Sequence, residues 1–242
     1  MGRSGPDFGI YAAKEVTAPL ADMGEVAARL GSIVTYDKRG DVVDFDNFEE
    51  PILKWLSTIA GAGSAAYLDS DSAASGCQSV KLLLGSILSA DILLRKDIAI
   101  LGSTALGLEA SFAHTGYNGY LYFKIWYRSG TAYYEASVRI DNELGIFYIL
   151  DSTDNWKQIA TNLFPYGGEF TYNTTKLVAD FTTGYWKRLL FNNTEFDLSS
   201  EALYSVPDTS TPEIVLTLEV ENKFADSNPV WLDDVIWTQA EP

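Results

Sequence analysis

The chain has very few of the residues from which disulfides and metal or catalytic centres are commonly built. One cysteine among 242 residues excludes an internal disulfide framework. One histidine excludes a multi-histidine metal site and argues against a histidine-based catalytic triad. That histidine, His114, ends a predicted strand, where we expect it at the surface. Cys77 follows Ser-Gly in a predicted turn with no activating base nearby, so we interpret it as a free structural thiol.

Positive charge is also scarce. The chain has 17 Lys and Arg residues against 33 Asp and Glu residues, which gives a net charge of -16. Phosphate groups attract a surplus of cations, so this balance argues against nucleic acid and against an anionic membrane as partners. No apolar stretch approaches the roughly 20 residues of a membrane-spanning helix, and no signal peptide is visible at the N-terminus. We expect a soluble protein made in the cytoplasm.

The charge is distributed unevenly, which divides the chain into an arm and a body. Residues 1–40 hold five bases and five acids, so residues 41–242, with 12 bases and 28 acids, carry the whole net charge. Within the arm, Leu20, Met23, Val26 and Leu30 recur at helical spacing and predict one short helix over residues 18–31. Such a narrow apolar stripe cannot make its own core, so the helix must dock on the body or on a neighbouring molecule.

From residue 41 onward, the sequence predicts β-strands separated by turn residues at intervals of about eight to twelve. Residues 213–221 alternate between an apolar face and a polar face, and residues 176–183 do the same, with Lys176 on the solvated side. We therefore predict an all-β fold, a two-sheet antiparallel β-sandwich of the jelly-roll type over 41–242, preceded by the arm with its short helix. The predicted strands cover residues 41–48, 65–69, 78–84, 92–100, 106–114, 119–128, 133–140, 144–151, 156–161, 176–183, 186–192, 213–221 and 230–238.

Three segments of the body resemble a known group of folds. Residues 45–49 read Phe-Asp-Asn-Phe-Glu, residues 74–82 read Ala-Ser-Gly-Cys-Gln-Ser-Val-Lys-Leu, and residues 231–235 read Trp-Leu-Asp-Asp-Val. This order resembles jelly-roll modules of the carbohydrate-binding and concanavalin-like type. The resemblance covers most of residues 41–242 and implies a fold more specifically than a function.

The arm has a likeness of its own. Residues 22–31 followed by residues 36–41 are similar to the start of structural proteins from tailed-bacteriophage genomes, in which a short arm precedes a jelly-roll body. This resemblance implies a virion component, such as a capsid decoration protein or a minor structural protein.

The jelly-roll resemblance further implies a structural calcium ion. The matching ligand positions are Glu49, Asp71 and Asp233, and oxygen ligands from separate strands suit Ca²⁺. The alternative is that these carboxylates accept hydrogen bonds from the backbone at strand ends. We expect no other cofactor.

The densest aromatic region lies at residues 117–134 and includes the predicted strand 119–128. Alternation places Leu121, Phe123 and Ile125 on one side as core, and Tyr120, Tyr122 and Trp126 on the other. The second set is compatible with stacking on sugar rings, with a protein–protein interface, or with internal packing under a loop or the arm.

No pair of carboxylates matches the spaced run used by retaining glycoside hydrolases of lectin-like fold. Glu219 and Glu221 share one face of a predicted strand, but we interpret them as solvated charges. We therefore expect that the chain is not an enzyme.

Two functions remain open. The first is a virion protein that decorates or reinforces a capsid, with arm residues Leu20, Met23, Val26 and Leu30 contacting other virion proteins or further copies of the chain. A trimer is a natural arrangement for a shell surface. The alternative is a lectin-like module that binds glycans through Tyr120, Tyr122 and Trp126.

Overall fold

The computed structural model describes residues 37, 39–98, 104–225 and 227–242. Within them the chain forms two antiparallel β-sheets that pack face to face, so the predicted all-β two-sheet sandwich is confirmed. The predicted helix over 18–31, with Leu20, Met23, Val26 and Leu30, lies outside the described residues.

Sheet 1 has the strand order β13-β12-β11-β6-β16-β4-β3, with β1 pairing beside β16. Its strands are β1 (Asp41–Asp46), β3 (Ala65–Asp69), β4 (Ser79–Leu83), β6 (Ala105–His114), β11 (Gly168–Asp180), β12 (Tyr185–Phe191), β13 (Thr194–Asp197) and β16 (Val230–Gln239).

Sheet 2 has the strand order β10-β9-β8-β7-β15-β5-β2, with β14 pairing beside β8. Its strands are β2 (Leu56–Ala60), β5 (Asp91–Ile98), β7 (Gly119–Arg128), β8 (Ala132–Asp141), β9 (Ile146–Leu150), β10 (Trp156–Ala160), β14 (Tyr204–Pro207) and β15 (Glu213–Asn222).

The core lies between the sheets and is built by the predicted alternation. In β7, Leu121, Phe123 and Ile125 are buried in the core, and in β15 the alternate residues from Ile214 to Val220 join them. Burying each such side chain contributes about 1.5–3 kcal/mol relative to leaving it exposed. Because successive side chains of a strand point to opposite faces, this fixes which residues of β7, β8 and β15 lie on the outer face of sheet 2.

Three strands were not predicted from the sequence. β2 is a sheet-edge strand whose five residues are all exposed, so it has no buried face to produce an alternating pattern. β13 and β14 are four-residue strands at sheet margins, too short for a periodic signal. β11 begins at Gly168, well before the predicted Lys176, so the prediction missed the first eight residues of this strand.

The outer face of sheet 1 holds a group of charged side chains that is closed off from solvent. This buried ion cluster consists of Asp37, Glu109, Lys176, Arg188 and Glu241. The Nζ atom of Lys176 lies 3.0 Å from a carboxylate oxygen of Asp37 and 2.7 Å from one of Glu241. Arg188 contacts the same two acids. The prediction that Lys176 lies on a solvated face was therefore wrong, since its side chain is 0% exposed.

The cluster is buried because segments from both ends of the described chain lie against sheet 1. Asp37 and Arg39 precede β1, and Glu241 and Pro242 follow β16. The backbone carbonyl of Arg39 accepts a hydrogen bond from Lys176, and the carbonyl of Pro242 accepts one from Arg188. No helix among the described residues is long and apolar enough to cross a membrane.

Candidate ligand-binding face

The outer face of sheet 2 carries a concentration of aromatic side chains, which we call the aromatic face. It contains the three aromatic residues predicted from the sequence together with three more from β8, β9 and β10. The six residues are Tyr120, Tyr122, Trp126, Tyr133, Tyr148 and Trp156. All are partly exposed except Tyr122, which is 8% exposed. The prediction that Tyr120, Tyr122 and Trp126 share one side of β7 agrees with this arrangement.

At one end of this face, three rings surround Arg139 of β8, and we call this group the Arg139 cage. The guanidinium carbon lies 4.3 Å from the ring centroid of Tyr148, 4.6 Å from that of Trp156 and 5.1 Å from that of Tyr120. These distances are in the range of cation–π attraction. The ring of Tyr122 packs 5.7 Å from Trp156, so Tyr122 supports the cage from below and exposes little of itself.

A second aromatic group lies further along β7. Trp126 meets Tyr133 edge to face at 6.5 Å, and Tyr133 meets Tyr204 of β14 at 6.4 Å. Tyr122 and Trp126 are four residues apart on one strand, which places them roughly 14 Å from each other. The aromatic face therefore offers two separate stacking positions on one rigid sheet.

A polar strip lies between and beside the two groups. Lys124 pairs with Glu219 across the β7–β15 ladder at 2.5 Å. The hydroxyl of Tyr122 donates to Glu221 at 2.7 Å, and that of Tyr133 donates to Glu135 at 2.5 Å. Burial raises the pKa of Tyr122, and the neighbouring Glu221 carboxylate raises it further, so the tyrosine stays a protonated donor. Each carboxylate keeps acceptor capacity for a further hydroxyl group.

Three polar atoms on this face make no hydrogen bond within the part of the chain that the structure describes. They are the indole nitrogen of Trp126, the hydroxyl of Thr217 and the Nε atom of Arg139, all of which are closed to solvent. Buried polar atoms in native proteins are nearly always paired, so these atoms are exceptions on this face.

Arg139, Tyr148 and Trp156 were missed by the sequence analysis. Arg139 follows from applying the same alternation to β8, which puts Tyr133, Glu135 and Arg139 on the side opposite the core. Tyr148 and Trp156 depend on the pairing of β8 with β9 and of β9 with β10. That register is set by tertiary structure and leaves no local sequence signal.

The three predicted calcium ligands have other partners. Glu49 accepts backbone hydrogen bonds from Cys77 and Gln78 at 2.6 and 2.8 Å. Asp233 accepts from the backbone nitrogen of Ala74 at 2.7 Å, while the exposed Asp71 lies 3.5 Å from Lys81. No group of three or more acidic, histidine or cysteine side chains among the described residues is arranged to hold a metal ion.

Asp233, on β16 of sheet 1, has a strongly raised pKa. Burial raises its pKa to about 7, and the adjacent Asp234 carboxylate adds to the effect, against three backbone hydrogen bonds that lower it. One carboxyl oxygen of Asp233 accepts hydrogen bonds from the backbone nitrogens of Ala74 and Ser75 before β4, and the other accepts one from Asp234. The alternative proposed such backbone bonds at strand ends, whereas Asp233 lies within β16.

The single histidine and the single cysteine differ in burial. His114 is buried, so the expectation of a surface residue was wrong. It is the last residue of β6 and lies beside Asn142, and burial lowers its pKa. Cys77 is free and exposed.

No protein-family model and no curated protein matches this chain. The solved structure of the cellulose-induced protein Cip1 matches 81% of this chain and 96% of its own, at 15% identity and a TM-score of 0.54. An endo-beta-1,4-glucuronan lyase from the fungus Trichoderma reesei matches 82% of this chain and 96% of its own, at 9% identity and a TM-score of 0.55. A Bacillus subtilis protein of unknown function with a galectin-like fold matches 84% and 98%, at 11% identity and a TM-score of 0.52. At these identities the likeness shows the fold alone, and it fits the predicted jelly roll.

Proposed function

We propose that this protein binds a glycan on the aromatic face. The observation that carries the proposal is the set of partly exposed rings, interleaved with carboxylates, on one continuous face of sheet 2. Flat rings such as Tyr120 and Trp126 stack on the apolar faces of sugar rings, while carboxylates such as Glu135 accept hydrogen bonds from sugar hydroxyls. A sheet also holds these groups in fixed positions, which lowers the entropic cost of binding.

Fold likeness supports this proposal as an analogy. One of the structural neighbours is named as a lyase of a polysaccharide, glucuronan, and another is described as galectin-like. In this chain the aromatic face is the outer face of one of the two sheets of that sandwich.

The capsid decoration role predicted from the sequence stays a prediction, with its homo-oligomer and virion partners. None of the three matched structures described above is named as a virion component. The arm residues on which that role depends lie outside the described residues. The expected lack of enzymatic activity also stays open, because Glu219 and Glu221, interpreted as solvated charges, lie on the aromatic face.

The test is glycan binding by the intact protein, first on a glycan array and then by calorimetry with a polysaccharide that binds. Trp126→Ala should weaken binding roughly tenfold or more, because truncating an aromatic side chain at a binding hot spot costs about 2 kcal/mol or more. Tyr67→Ala is the matched control, since Tyr67 is an exposed aromatic residue on sheet 1. New reducing ends after long incubation would reveal cleavage of the bound glycan.

Binding that survives Trp126→Ala unchanged would reject the aromatic face as the site. Failure of the unmodified protein to bind any glycan would reject the function itself.

A further inference from the structure

Arg139 stands apart from the other cations of the aromatic face. Lys124 pairs with Glu219, Arg128 with Glu213 and Asp208, and Lys223 with Asp141 and Glu143. Arg139 has no carboxylate within 4.0 Å among the described residues, although the chain has a large excess of acids. In so acidic a protein, a cation held away from every carboxylate requires an explanation.

The cage explains how Arg139 is held without a carboxylate. The rings of Tyr120, Tyr148 and Trp156 fix the guanidinium by cation–π contacts at 4.3–5.1 Å. The face of an aromatic ring attracts a cation but does not accept conventional hydrogen bonds from the N–H groups that lie in the guanidinium plane. The N–H donors of Arg139 are therefore not used by the cage. Its Nε atom is closed to solvent and has no hydrogen-bond partner, whereas its two terminal nitrogens are not closed off.

The nearby carboxylates do not compete for this cation. Glu219 forms an ion pair with Lys124. It lies two strands away from Arg139, and that spacing is roughly 10 Å across the sheet. Glu221 is held by the hydroxyl of Tyr122, and Asp141 by Lys223 at 3.0 Å. The positive charge of Arg139 is therefore available to a ligand.

We infer that the aromatic face selects acidic glycans, and that Arg139 binds the carboxylate of a uronic acid unit. The inference rests on the proposed glycan-binding function and adds the class of sugar. A guanidinium presents a planar fork of N–H donors, which matches the two oxygens of a carboxylate. The cage rings beside it supply stacking surface for the same sugar unit, so charge and ring contacts converge at one position.

The first experiment uses the unmodified protein alone. Calorimetry compares polyglucuronate or alginate with the same polymer after chemical reduction of its carboxyl groups, which removes the charge and leaves the sugar chain. We expect the acidic polymer to bind about tenfold more tightly or better, as for a charge-assisted bidentate contact. Equal affinity for the two polymers would overturn the inference while leaving glycan binding intact.

The second experiment tests the residue. Arg139→Gln should abolish the preference for the acidic polymer, so that the variant binds the acidic and the reduced polymer with equal affinity. Arg139→Lys, which keeps the charge but loses the planar fork, should retain only part of the preference. The melting temperature of each variant shows that it is folded. An Arg139→Gln protein that keeps the full preference would refute the role of Arg139.

Dextran sulfate distinguishes a carboxylate from negative charge in general. We expect it to bind more weakly than the uronate polymer at matched salt, because a sulfate ester lacks the planar pair of oxygens. Binding as tight as that of the uronate would show that the face responds to charge alone, and would overturn the carboxylate assignment. Loss of all glycan binding in Trp126→Ala, with no effect of Arg139→Gln, would support the proposed function and reject this inference.

Discussion

The outer faces of the two sheets carry similar residues but use them in opposite ways. On sheet 1, Lys176 lies among three acids and has no contact with solvent. On sheet 2, Lys124 pairs with a single acid, Glu219, and both side chains remain partly exposed. Chain segments before β1 and after β16 cover the first face, whereas aromatic rings line the second. Sheet 1 therefore holds its polar side chains in a closed ion cluster, whereas those of sheet 2 stay accessible, as the proposed glycan binding requires.

The energetic reason lies in desolvation. A buried charge costs several kcal/mol to remove from water, and only close partners of opposite charge offset that cost. Lys176 and Arg188 satisfy this condition for Asp37 and Glu241. An exposed pair loses little hydration and gains little energy, so its side chains remain available for outside groups.

Replacing the central lysine of the buried ion cluster should produce the largest difference between the faces. Lys176→Met leaves Asp37, Glu109 and Glu241 closed off from solvent without their main cation. We expect a loss of about 3–5 kcal/mol in the free energy of unfolding, the usual result of removing one partner from a buried pair. Urea denaturation followed by circular dichroism at neutral pH measures it.

Lys124→Met is the matched control, because it removes the same side chain from a pair on the other face. The expected loss is about 1 kcal/mol or less for a pair that is partly solvated. Similar losses in the two variants would show that the faces do not differ as described.

One carboxyl group on each face should affect the pH dependence of stability with opposite sign, Asp37 on sheet 1 and Asp91 on sheet 2. For Asp37, burial acts to raise the pKa, but Lys176 and hydrogen bonds from Arg39 outweigh it and lower the pKa from 3.8 to about 2. The folded state then loses this proton more readily than the unfolded state. The contribution is complete above pH 4 and is lost as the pH falls toward 2.

Asp37→Asn should therefore flatten the fall in stability between pH 4 and pH 2, by at most about 2–3 kcal/mol. Asp91 on sheet 2 is the control, because burial and the neighbouring Glu221 raise its pKa. When the pKa of a carboxyl group is raised by folding, stability decreases as the pH rises above the pKa of that group in the unfolded chain. Asp91→Asn should therefore leave the fall in stability between pH 4 and pH 2 in place. If stability falls as steeply between pH 4 and pH 2 in Asp37→Asn as in the unmodified protein, Asp37 is not the cause of that fall.

The two faces also differ in how far the sequence alone could predict them. Alternation along β7 was sufficient to place Tyr120, Tyr122 and Trp126 on one side, because that pattern is local. The same rule assigned Lys176 to solvent, since Lys176, Asp180 and Thr182 alternate with Leu177, Ala179 and Phe181, and the polar side of such a strand usually faces water. What buries it is Asp37 and Glu241, at opposite ends of the described chain, and no local pattern records contacts between segments so distant.

Adding or removing calcium should have the smallest effect on stability, because the predicted calcium ligands on the sheet 1 side already have other partners. Calcium takes six to eight oxygen ligands, but Glu49 and Asp233 already accept backbone hydrogen bonds, and the exposed Asp71 lies beside Lys81. The melting temperature should be the same in excess EDTA and in excess calcium chloride, with magnesium chloride as the control for ionic strength. A rise in melting temperature that is specific to calcium and is lost in Glu49→Gln would contradict this expectation. Such a result would also change the comparison, because the stability of sheet 1 would then depend on an external ion, just as the proposed function of sheet 2 depends on an external glycan.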